Sequence, residues 1–147
     1  AQHGIFPDTI GYRPSPFRSG LGSAFLAALG PTELAAYSKS LVANTTGRDR
    51  EAALNLTKKI LDIRRSGFAV REEAYWGRAV DYGGIPRAIS VAIRADHQAI
   101  GAMNLVWLAE RRSTASVAEE HLAGLTLAAK VIGEQSSYNA RATIRSP

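Results

Sequence analysis

The chain has 147 residues, 46% hydrophobic and 21% charged, with a formal charge of +5 from 18 Lys and Arg against 13 Asp and Glu. That balance is globular rather than disordered, and the length suits one domain with its own core. The absence of cysteine excludes a disulfide framework and thiolate chemistry and fits a reducing, cytoplasmic location, and no apolar run approaches the roughly 20 residues of a membrane span.

Residues 1–16 are rich in Pro and Gly and read as a strand remnant and loop. Ser19 suits the cap of a helix over 20–29. That helix opens with Gly20 and Gly22, and each glycine costs about 1 kcal/mol relative to Ala in a helix interior. Two explanations are open: another backbone packs close, or a ligand lies on uncovered amides. Gly30 ends the helix, and Pro31 suits the first turn of a second one over 31–42. A third helix is predicted over 49–65, with Leu54, Thr57, Leu61 and Arg64 on one stripe and Ile60 beside it. Gly67 is placed for a left-handed cap.

The period then changes. Residues 68–73, FAVREE, alternate like a strand. Residues 74–87 contain three glycines and a proline and read as a long loop. Two strands follow, over 87–95 and 99–108, joined by a polar link short enough for a hairpin. Ser116 and Glu119 predict a capping box opening a helix over 117–135, with Leu122, Leu125, Ala129 and Ile132 inward. Residues 136–147 lose this period and are expected to fray. Helices followed by an antiparallel hairpin argue an α+β fold with helices packed on a small sheet.

Catalytic chemistry finds little support. His3, His97 and His121 lack metal-ligand spacing. Glu72-Glu73 and Glu119-Glu120 are neighbours whose side chains diverge. GLGSA, at 20–24, is not a nucleophile elbow, and no P-loop lysine follows it. No catalytic residue, metal site or cofactor is therefore expected. The basic residues are scattered, and aromatics do not interleave with them, so this segment is not expected to bind nucleic acid. What remains is a non-catalytic domain with a cavity. Ala88, Ser90 and Ala92 share one face of the first hairpin strand, and Asn104 and Val106 share one face of the second. Ser90 and Asn104 are polar groups in apolar strands. Either nearby backbone satisfies them or a polar ligand does, since a buried polar group without a partner costs about 1–3 kcal/mol.

The segments SPFRSGLGSAFLAAL, LTKKILDIRRSGFAVREE, AISVAIRADHQAIGAMNLVW and AEEHLAGLTLAAKVIGEQ, in this order, resemble the effector-binding half of IclR-family transcriptional regulators over residues 10–135. The MNLVW wording and the long loop before the hairpin are similar to the branch governing aromatic-acid breakdown. The resemblance implies a GAF-like domain for a small carboxylate or aromatic-acid effector, assembled as a homodimer or homotetramer. It implies a winged helix-turn-helix domain ahead of this chain, so that DNA is bound only through a domain absent here, and it implies no membrane partner. The start at Ala1 and the single Met103 point to a processed chain or a fragment, and the first helix and strands expected of the effector domain are also missing, so a fragment is expected. The implied effector site is Gly20, Leu21, Arg71, Ala88, Ser90, Asn104 and Val106. Arg71 stands where many members carry an acidic residue, and as a planar cation it suits a carboxylate. A GAF-type sensor of another signalling protein is the alternative, with a small enzyme using the same cavity behind it.

Overall fold

Ser19 opens the first helix by accepting the Gly22 N–H on its side-chain oxygen at 3.0 Å, so α1, Gly20–Ala28, begins where a capping serine predicts. The computed structural model describes residues 13–73, 75 and 84–144. The predicted strand remnant of residues 1–16 lies mostly outside these residues, as does most of the 74–87 loop. Helix α2, Pro31–Ala43, starts on its proline, and the Glu33 carboxylate accepts the Gly30 N–H at 3.2 Å.

The single helix expected over 49–65 is two: α3, Gly47–Leu54, and α4, Leu56–Ser66. They break at Asn55, whose side-chain amide donates back to the Glu51 carbonyl at 3.2 Å. The break moves the inward stripe. Leu56 and Ile60 are buried with Ala53, while Leu54 and Leu61 are exposed. Gly67 ends α4 in the left-handed conformation at φ 84°.

Strand β1 is only Ala69–Val70, shorter than the alternation of FAVREE predicts. Strands β2, Pro86–Ala95, and β3, Gln98–Leu108, form the expected hairpin. Asp96 and His97 turn it with φ of 46° and 68°, the paired left-handed conformations that match strand twist in a two-residue turn. The sheet is antiparallel in the order β1-β2-β3. The last helix, α5, spans Thr114–Ile144. Its cap is Ser113, whose hydroxyl accepts the Ser116 N–H at 3.2 Å, and not the predicted Ser116–Glu119 box. Its far end is helical rather than frayed. There Ser136 and Ser137 donate to the carbonyls of Ile132 and Gly133 at 2.8 and 3.2 Å, and Ser137 is buried.

The sheet separates two cores. On one face α5 packs Val117, Leu125 and Ala129 against Ile89 and Val91. On the other, α1 lies against β2 and β3 with α4 packed on its back. Phe17, Leu26 and Leu29 there meet Ala53, Leu56 and Ile60. A helix enclosed on both sides has room for little bulk, which accounts for the glycine, serine and alanine along α1. The result is the α+β fold predicted from the order of elements.

Candidate functional site

Register decides which residues meet. Ser90 pairs with Asn104 and Ala88 with Val106 across β2 and β3, while Ala69 pairs with Ser90 across β1 and β2. Directly opposed residues of an antiparallel pair share a face, so Ala88, Ser90, Asn104 and Val106 form one block on the α1 side. Arg71 continues that face, its N–H donating to the Ala88 carbonyl at 3.4 Å. The first turn of α1 lies over the block. A Cβ built on Gly20 would strike the Ser90 hydroxyl and lie 3.4 Å from the Arg71 nitrogen. The structure thus gathers six of the residues predicted for the site, with half-buried Leu21 at its edge.

Three details differ from expectation. Asn104 and Val106 are exposed rather than inward, because α1 covers β2 and leaves this part of β3 as an open shelf beside the helix start. Gly22 is a packing glycine: a Cβ there would come within 2.5 Å of the Pro16 Cα and 2.8 Å of its carbonyl carbon. Its amide is also occupied by Ser19, which leaves the Gly20 and Leu21 N–H groups of the first turn of α1 without an acceptor among the described residues. The Arg71 guanidinium donates to the Pro86 carbonyl, along the strand and not toward Gly20.

Ser90 is the feature that packing alone does not explain. It is fully buried, and its hydroxyl has no hydrogen-bond partner among the described residues. Gly20→Ala should therefore destabilise the chain by about 1–3 kcal/mol, the usual cost of overfilling a packed site. Ser90→Ala in the same chain should restore most of it, read as the midpoint of urea unfolding. A double variant no better than Gly20→Ala would mean that the Ser90 contact is not what requires the glycine.

A polar network that sequence patterning did not single out fixes the helix start above the sheet. Arg18 donates to Glu72 at 3.1 Å and Asp49 at 3.5 Å and lies 4.9 Å over the Tyr75 ring. Tyr75 in turn accepts the Ser15 N–H at 2.7 Å. Lys59 donates to the Phe17 carbonyl at 2.7 Å. The hydrogen bond that Arg18 donates to Glu72 raises the Arg18 pKa, and burial pushes the Lys59 ammonium below its ordinary value against the pull of Glu72. Charged residues 31 to 54 positions apart in sequence carry no local signal of such a cluster. Nothing in it pairs a nucleophile with a base, and no group of three metal-ligating side chains occurs among the described residues. The shelf is equipped to bind, through two bare amides at the positive end of a helix and a polar and an apolar side chain beneath.

No protein-family profile and no curated protein matches the chain. Solved structures do. A protein assigned as a transcriptional regulator from Rhodococcus sp. RHA1 superposes with a TM-score of 0.64 at 23% identity, over 94% of this chain and 53% of that one. The Agobacterium tumefaciens repressor BlcR gives 0.62 at 21% identity, over 86% of this chain and 49% of its own. An IclR-family transcriptional regulator from Brucella abortus gives 0.56 at 13% identity, over 77% and 40%. The chain spans about half the length of the first two. These neighbours are described as transcriptional regulators or as a repressor. Over the parts of those structures that it matches, this chain has the α+β fold of the IclR-type transcriptional regulators.

Proposed function

We propose that this chain is the GAF-like sensing and oligomerisation domain of an IclR-type transcriptional regulator, and that it takes a small organic or aromatic acid between the start of α1 and the sheet. The Ser90 hydroxyl carries this reading. A buried hydroxyl without a partner costs about 1–3 kcal/mol, and it lies beneath the glycine whose amide is bare. An acid entering from the Asn104 and Val106 shelf sets its carboxylate on the Gly20 and Leu21 amides and its body on Val106. Reaching Ser90 requires the first turn of α1 to lift, which links occupancy to the position of a helix that contacts both cores. An exposed apolar stripe on α5, Leu127, Val131 and Tyr138, supports assembly through that helix. DNA would be bound by a separate winged helix-turn-helix domain.

Thermal melting with a panel of aromatic and aliphatic monocarboxylic acids tests the site. At least one acid should raise the melting temperature of the wild type. Ser90→Ala should melt at or above wild type without acid, because removal of the unpaired hydroxyl relieves about 1–3 kcal/mol, and it should lose most of the acid-induced shift. Asn104→Leu should leave the fold intact and weaken the same response. If no acid shifts the wild type, the reading fails.

A further inference from the structure

The edge of β2 away from β3 is covered by a strand along only part of its length. β1 pairs with Ile89 and Ser90, and before Ala69 the chain has already turned away through Gly67 into α4. The Arg71 N–H bonds the Ala88 carbonyl, and hydrogen-bonding direction alternates along a strand. The backbone groups of Ala88, Ser90 and Ala92 therefore all point to this edge, and no described strand lies opposite Ala92. A cavity of about 430 Å³ occupies the gap, within the range of small-ligand sites. Ala24 and Ala28 of α1 form one wall, and Ala129 of α5 forms the other.

Three cations from three elements meet around this cavity: Arg64 of α4, Arg94 of β2 and Lys130 of α5, with no Asp or Glu among its described lining residues. Arg64 is held in place, its Nε and one terminal nitrogen donating to the Ala27 and Leu29 carbonyls at 2.9 and 3.0 Å. Arg94 is braced by a 3.2 Å bond to the His97 carbonyl. Lys130 meets an exposed Glu134 at 3.8 Å, a contact of little strength. Cations converging on a hollow repel one another unless an anion joins them. The alanine walls leave flat apolar space between them.

We propose that this cavity binds an organic dianion, a dicarboxylate with a compact apolar body, at a site separate from the Gly20 shelf. The two sites share only Ser90, which turns its hydroxyl toward Gly20 and its backbone toward the cavity. One carboxylate lies between Arg94 and Lys130 and the other at Arg64, with the Ala92 amide as a further donor. A monocarboxylate leaves part of the positive charge unmet, and inorganic phosphate makes no use of the alanine walls. Because Arg64 also holds the end of α1, a ligand here bears on the helix whose other end forms the shelf.

The test is isothermal titration of the whole 147-residue chain with phthalate, benzoate and inorganic phosphate. Phthalate should bind more tightly than either of the others. Arg94→Ala and Lys130→Ala should each weaken phthalate about tenfold, the scale of a lost charged hydrogen bond, with unchanged melting temperatures. Asn104→Leu should leave phthalate affinity unchanged, which separates this site from the shelf and from the function proposed for it. The proposal is overturned if phthalate gives no binding heat or if phosphate binds as tightly. It is also overturned if phthalate affinity falls in Asn104→Leu but in neither cation variant.

Discussion

Gly133→Val should unseat α5 from the sheet and remove about 3 kcal/mol or more of stability, at or above the upper end of ordinary overpacking. A Cβ at this position would fall on the Arg94 carbonyl oxygen and within 2.8 Å of its carbon. The obstacle is strand backbone, so no side-chain rotation clears it. The helix must instead lift, opening the core where Val117, Leu125 and Ala129 meet Ile89 and Val91. Gly124 is the matched control on the same helix, because a Cβ there meets nothing within 4 Å. Gly124→Ala should stabilise by up to about 1 kcal/mol, the difference in helix propensity. Urea unfolding of the two variants beside wild type measures both effects. A Gly133→Val chain as stable as wild type would mean that α5 does not lie against Arg94.

Phe17→Ala should cost about 3–5 kcal/mol, the usual loss for truncating a fully buried aromatic ring. The ring is fully buried and joins the turn before α1 to Leu26, Leu56 and Ile60. Its backbone carbonyl accepts from both Ser23 and Lys59, so the turn is tied from below and the cavity left by the ring cannot readily collapse. Domains of this size are stable by only about 5–15 kcal/mol, and the variant should unfold many degrees below wild type in calorimetry. Phe17→Leu keeps most of the volume and should lose much less. Equal melting of Phe17→Ala and wild type would remove Phe17 from the core.

Much of this architecture was legible in advance where the signal is local. Ser19, Pro31 and Gly67 mark helix ends through their own backbone chemistry, and each does so in the structure. The hairpin followed from two β-rich runs around a short polar link, which the structure narrows to the two residues Asp96 and His97. The break at Asn55 was hidden because the 49–65 stretch carries helical periodicity throughout, and only tertiary packing reveals that Leu56 and Ile60 turn inward in place of Leu54 and Leu61. Ser113 and Ser116 both resemble caps, and the choice between them depends on where α5 meets the sheet. At the site, alternation placed Ser90 and Asn104 on faces of their own strands. Only the pairing register joins those faces, and only the width of α1 leaves one residue buried and the other open. The cations around the Ala92 edge come from three elements with no shared sequence pattern.

Helix α2 has 13 residues and not one of them is buried. Its ties to the remainder are half-buried side chains: Leu34, Leu41 and Val42 pack against the core beneath α1, and Tyr37 meets Phe25 edge-on at 6.0 Å between ring centroids. An isolated helix of that length is marginal in water, so α2 depends on these partial contacts. It can melt while the fully buried residues of both cores stay covered, exposing only what those side chains had shielded. In amide hydrogen exchange it therefore forms its own fast-opening unit, with protection less sensitive to low denaturant than that of β2, which exchanges only when the whole domain opens. The flank of α1 beneath it is thereby released and re-covered many times in the life of one folded molecule.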